Sequence, residues 1–131
     1  MMLLLQTTSS CVSPFLQRAG VAAISCSQES IAKMMTEYRS RRDILVRGLN
    51  DIPGISCHIP GGAFYAFPNI SKFGMSSNQF ADFLLESAGL AVLPGSNFGP
   101  QGEGFVRLCF ASSAAQIREA LKQIAMSCHR L

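Results

Sequence analysis

The sequence predicts an α+β two-layer domain: a short, mainly antiparallel sheet covered by helices, with a long helix ahead of it. Three observations carry that expectation. Apolar residues recur at helical spacing in four stretches, and between them lie brief β-prone runs bounded by Gly and Pro. The composition, 48% apolar and 15% charged, supplies a core and lacks the charge excess of a disordered chain. At 131 residues the chain fits at most one domain of ordinary size, which excludes two full catalytic domains.

Residues 1–11 read as a polar loop after an apolar stub. Residues 12–25 read as a short helix with Pro14 in its first turn, and its small residues Ala19, Gly20, Ala22 and Ala23 suit close packing against a neighbour. A second helix, capped by Ser25 or Ser27, carries Ile31, Met34, Met35, Tyr38, Leu45 and Leu49 on one rhythm up to the stop at Pro53-Gly54. At the α-helical rise it would be roughly 33 Å long, enough to run between two domains.

Residues 55–59 and 64–67 read as two strands around the turn Pro60-Gly61-Gly62, with Pro68 ending the second or placing it at an edge. The cluster Phe64, Tyr65 and Phe67 is expected to be mainly core, with one alternate side chain facing a pocket. Ser76 or Ser77 starts a third helix, with a Ser76-x-x-Gln79 capping box, Phe80, Phe83, Leu84 and Ala88 on one face and Gly89 as its stop. Residues 90–93 follow as a strand. The Gly- and Pro-dense stretch 94–104 must be irregular, and is expected to be a mobile connection that shapes a pocket. After it come a strand over 105–111 and a last helix from Ser113, with a second capping box to Gln116, through Ile117, Leu121, Ile124 and Cys128.

Eleven Lys and Arg against eight Asp and Glu leave a net charge of +3, scattered except at Arg39, Arg41 and Arg42, which argues against nucleic-acid or membrane binding through charge. The five cysteines, Cys11, Cys26, Cys57, Cys109 and Cys128, form no C-x-x-C pair and read as small buried thiols of a reducing compartment. The apolar opening has no basic residue before it and stops short of a secretory segment, so a cytoplasmic protein is expected. Its first residues look like the middle of something longer.

Period-two alternation in Phe105-Val106-Arg107-Leu108-Cys109-Phe110 puts Val106, Leu108 and Phe110 on one face and Arg107 on the other. An arginine on an otherwise apolar strand, just past a Gly-rich loop, suits a carboxylate, because its planar fork donates two parallel charge-assisted hydrogen bonds. The competing reading is a solvent-facing or salt-bridged strand arginine. Lys33 and Lys72 sit in contexts that invite a Schiff-base reading, but nothing around either desolvates it, so both are expected to be solvated. His58 and His129 lack partners at metal-ligand spacing, and residues 94–104 lack a phosphate-cradle pattern.

Four segments together resemble a known family: Arg41-Arg42-Asp43; residues 60–67, Pro-Gly-Gly-Ala-Phe-Tyr-Ala-Phe; residues 91–99, Ala-Val-Leu-Pro-Gly-Ser-Asn-Phe-Gly; and residues 102–108, Gly-Glu-Gly-Phe-Val-Arg-Leu. In that order and spacing they resemble the carboxy-terminal third of class I/II aminotransferases, the fold type I pyridoxal-phosphate enzymes of the aspartate aminotransferase kind. Residues 5–17 resemble the family segment that follows the cofactor lysine.

The resemblance implies that residues 1–27 correspond to part of a large domain and interface segment, residues 28–52 to the interdomain helix, and residues 53–131 to the small domain. It implies that Arg107 grips the substrate α-carboxylate, with Gly62 and Phe64, together with Gly61, lining the substrate side of the cleft. The complete enzyme would use pyridoxal 5'-phosphate and transfer an amino group between an amino acid and a 2-oxo acid as a homodimer. The family's cofactor lysine, ring-nitrogen aspartate and phosphate-holding groups precede the matched segments. The chain alone is therefore expected to bind no cofactor and to be inactive. Two alternatives stay open: a non-catalytic module binding a carboxylate or a partner, and a portion of another fold type I enzyme such as a lyase, synthase or decarboxylase.

Overall fold

A computed structural model describes Leu4, Thr7, Thr8 and residues 11–131. The expected stub and most of the loop ahead of residue 11 lie outside the described residues. The chain forms two compact units, Met1–Met34 and Met35–Leu131.

In the first unit, helix α1 spans Pro14–Ser25, with Pro14 in its first turn as expected, and none of its residues is buried. Helix α2, Glu29–Asn50, begins after Ser27, whose Oγ accepts the Glu29 N–H at 3.3 Å. Within the second unit its Leu45, Val46 and Leu49 enter the core. Gly48 lets the chain beside it come close: a Cβ there would meet the Leu121 side chain, 2.9 Å from Cδ2. A glycine in a helix interior costs about 1 kcal/mol against alanine, and this approach is what it permits.

The second unit holds strands β1 (Tyr65–Ala66), β2 (Leu93–Pro94) and β3 (Val106–Cys109), with helices α3 (Ser77–Ala88) and α4 (Ala114–Cys128). Both helices start with the expected capping boxes, Ser76 with Gln79 and Ser113 with Gln116, and Gly89 closes α3 in the left-handed conformation at φ 64°. The sheet order is β1-β3-β2 and both ladders are antiparallel, so β3 is central. Ala66, Val106 and Phe110 are fully buried in a core completed by Leu49, Ile70, Phe80, Leu84 and Ile124. Each of the larger of these side chains, Ala66 excepted, contributes about 1.5–3 kcal/mol through removal from water.

Three strand expectations are corrected. Residues 55–59 form no strand; only Ser56 bridges Asn69. The reason is that the Asn50 carboxamide already occupies the Cys57 backbone, accepting its N–H at 2.8 Å and donating to its C=O at 2.9 Å. Residues 90–93 are not the strand either: after the left-handed turn at Gly89 pairing begins only at Leu93, opposite Arg107. The last strand is shorter than 105–111, ending at Cys109.

Residues 94–104, expected to be irregular, contain local helical structure. They hold two tight 3-10 turns, Gly95–Phe98 and Pro100–Gly102, and are pinned at both ends. Gly95 N–H donates to the Phe105 carbonyl at 2.8 Å, and the buried Ser77 Oγ donates to Gly102 O at 3.3 Å and accepts Gly104 N–H at 3.0 Å. The Glu103 carboxylate accepts the Ser77 N–H at 2.7 Å, placing a negative charge at the positive end of α3.

Candidate functional site

Register decides what surrounds Arg107. Tyr65 pairs with Cys109 and Leu93 pairs with Arg107, so Tyr65, Leu93, Arg107 and Cys109 share the outer sheet face, while Ala66, Val106 and Leu108 turn towards the core. The alternation expected from sequence therefore holds at Arg107, which is half-buried on the central strand.

Its guanidinium lies against two rings. Cζ is 4.2 Å from the Tyr65 ring centroid and 4.6 Å from that of Phe98. Among the described residues, Arg107 makes no ion pair; the four pairs present are Lys33–Glu29, Arg41–Glu37, Arg42–Asp43 and Lys122–Glu119. Ring faces satisfy the flat sides of a guanidinium electrostatically but leave its in-plane N–H donors free. The arrangement can thus present a charged, two-donor fork to a planar anion.

The supporting rings form a continuous row. Phe98 meets Phe67 edge-on at 6.0 Å, and Phe67 stacks on Phe105 at 5.3 Å. On the other side Tyr65 contacts Phe64 at 4.7 Å, and Phe64 faces Tyr38 of α2 at 6.3 Å. The expectation that Phe64 and Phe67 are mainly core is corrected: they are 42% and 38% exposed, because they border the outer sheet face.

Of the residues singled out from sequence, Phe64 reaches Arg107 only through Tyr65. Gly61 and Gly62 are exposed, with open space where a side chain would stand. Next to them Ala63 takes a left-handed φ of 57°, an uncommon conformation for alanine that shapes the entry to β1. Sequence reasoning missed Tyr65 and Phe98. The first was within reach of alternation, since the small Ala66 fits the core side; the second was a lone aromatic in a polar loop.

The lysines do not make a pyridoxal-phosphate site. Lys33 is 75% exposed and paired with Glu29 at 2.8 Å, Lys122 is exposed beside Glu119, and Lys72 is exposed in the turn Ser71–Phe73. None is enclosed by apolar side chains. A cavity of about 450 Å³ lined by Leu45, Leu90, Val92, Leu108, Ile117 and Ile124 does not include Arg107.

The cysteines divide. Cys57 and Cys128 are buried, whereas Cys11, Cys26 and Cys109 are exposed, which corrects the expectation of uniformly buried thiols; Cys109 is carried outward by the same alternation as Arg107. Burial pushes the Cys57 thiol up, against a smaller opposing effect of a backbone hydrogen bond at Phe67, and pushes Cys128 up to about 11. Among the described residues no three His, Cys, Asp or Glu side chains gather as metal ligands, and no helix is long and apolar enough to cross a membrane.

Residues 2–124 match the family described as aminotransferase class I and II. The chain is 47% identical to the Bacillus subtilis protein YugH over 120 residues, covering 92% of this chain and 31% of that protein. It is 44% identical over 115 residues to an aspartate aminotransferase of Pyrococcus horikoshii, covering 86% and 29%. The crystal structure of the aspartate aminotransferase from Rhizobium meliloti superposes with a TM-score of 0.91 at 35% identity, over 98% of this chain and 34% of that one. The chain thus spans about a third of the length of the relatives it matches.

Proposed function

The chain belongs to the class I and II aminotransferases, matching their carboxy-terminal portion and its small α+β domain, and from that premise we propose that it supplies the arginine that holds the substrate α-carboxylate during amino-group transfer between an amino acid and a 2-oxo acid. The observation that carries this reading is the half-buried Arg107 guanidinium, flanked by Tyr65 and Phe98 and free of any ion pair among the described residues.

The work of such an arginine is orientation. A bidentate grip on the carboxylate fixes the amino acid along two directions at once, which converts a loosely held reactant into one with its Cα–H bond at a defined angle. Gly62 and Phe64 are proposed to line the substrate side of the cleft; the support for Phe64 is its ring contact with Tyr65, which itself flanks Arg107. Pyridoxal phosphate supplies the electron sink of such chemistry in the complete enzyme, and the exposed lysines of this chain do not fit a role in holding it. The isolated chain is then catalytically inactive, and the complete enzyme is a cytoplasmic homodimer.

Titration of the 15N-labelled chain with L-alanine and with L-alaninamide tests the carboxylate role. The Arg107 Nε–H resonance shifts with the acid and not with the amide, and Arg107→Lys removes it; an equal response to both ligands refutes the reading.

A second reading, a non-catalytic module that docks on a partner polypeptide, is favoured by α1, where Phe15, Val21 and Ile24 are 72%, 64% and 83% exposed. Sedimentation of the chain separates the two: a module made for docking associates through α1, and charges at Phe15 and Ile24 abolish the association.

A further inference from the structure

We propose that Tyr65 and Phe98 are positioning residues for Arg107, holding its guanidinium in one orientation before any ligand arrives. This rests on the reading of Arg107 as the carboxylate arginine, and adds to it the side chains that aim the fork.

The two rings come from unrelated parts of the chain. Tyr65 stands on β1, diagonal to Arg107 across the ladder in which Tyr65 pairs with Cys109. Phe98 stands at the end of the 3-10 turn Gly95–Phe98, in the segment pinned by Ser77. It is 51% exposed, so burial does not explain its place; its fixed contacts are the guanidinium at 4.6 Å and Phe67 at 6.0 Å, edge-on. Phe67 is in turn stacked on Phe105. A large apolar ring held at the surface in this way has the guanidinium as its most specific partner.

The chemistry of the choice follows from what each kind of partner consumes. A carboxylate beside Arg107 would hold it equally well, but would occupy the in-plane donors and cancel the charge that a substrate needs. Aromatic faces restrain the weakly hydrated flat sides and leave charge and donors intact. An arginine already restrained has less rotamer freedom to lose when the carboxylate binds, which raises affinity without a new contact to the ligand.

The test uses the 15N-labelled chain, L-alanine as probe, and the variants Phe98→Leu and Phe98→Tyr. Leucine keeps apolar bulk and removes the ring; tyrosine keeps the ring. In the parent chain the Arg107 Hε resonance is displaced from the other arginines by the ring currents of Tyr65 and Phe98. Phe98→Leu reduces that displacement and weakens L-alanine binding about 5-fold, the scale of one partly exposed cation–π contact, while Phe98→Tyr retains both. The inference is overturned if Phe98→Leu leaves the displacement and the affinity unchanged. If the displacement responds as stated but the parent chain does not distinguish L-alanine from its amide, the orientation by Phe98 stands and the carboxylate role of Arg107 falls.

Discussion

The carboxamide of Asn50 pairs with the backbone of Cys57 as a neighbouring strand would, accepting its N–H at 2.8 Å and donating to its C=O at 2.9 Å. A third bond, from Nδ2 to Val46 O at 2.9 Å, ties the same side chain to its own helix. The last turn of α2 is thereby joined to the segment leading into the sheet.

Asn50→Asp keeps the shape but removes the donor and sets a negative charge against two carbonyl oxygens. Leaving the buried Cys57 backbone half satisfied costs about 1–3 kcal/mol. Urea unfolding of the two chains should show a lower midpoint at an unchanged slope; equal midpoints would contradict the role given to Asn50.

Gly95 and Gly102 touch through their backbones: a Cβ on Gly95 would collide with the Gly102 carbonyl and stand 2.7 Å from that of Phe105. Backbone cannot yield as a side-chain end does. Gly95→Ala should therefore destabilise the chain by about 1–3 kcal/mol and move Phe98 off Arg107, read as a lower thermal midpoint and a changed Arg107 Hε resonance. A variant with both signals unaltered would show that the loop does not set Phe98.

Cys128 contributes an alkaline limb to stability. Its thiol is raised from 9.0 to about 11 by burial, so the folded state keeps a proton that the unfolded state gives up. Below pH 9 the contribution is constant; from pH 9 to about 11 stability falls as pH rises. Urea midpoints measured across that interval should decline less steeply in Cys128→Ala than in the parent chain, and parallel declines would contradict the assignment.

Pyridoxal phosphate added to the chain and reduced with borohydride should leave no site-specific adduct. Lys33, Lys72 and Lys122 are solvent-facing amines and react, if at all, slowly and alike. Peptide mass mapping that finds stoichiometric labelling of one of them would overturn the proposal that this chain alone holds no cofactor.

Much of this was legible in the order of residues. The helices could be read because their signals are local: Ser76 with Gln79, Ser113 with Gln116, and Gly89 act within one turn of themselves. The outward turn of Arg107 could be read for a similar reason, since alternation along a strand needs only the chain's own geometry. Residues 55–59 misled because β-propensity says that a segment can pair, and the partner that claimed it was a side chain from α2.

The aromatic flank of Arg107 depended on contacts that no local pattern contains. Phe98 lies beside Arg107 because two glycines bring the ends of a loop together and Ser77 of another helix holds them there. By itself the sequence determined which stretches coil, where they stop and which way Arg107 points. Only the tertiary structure decided what Arg107 meets, because that depends on strand register and on loop closure between residues far apart in the chain.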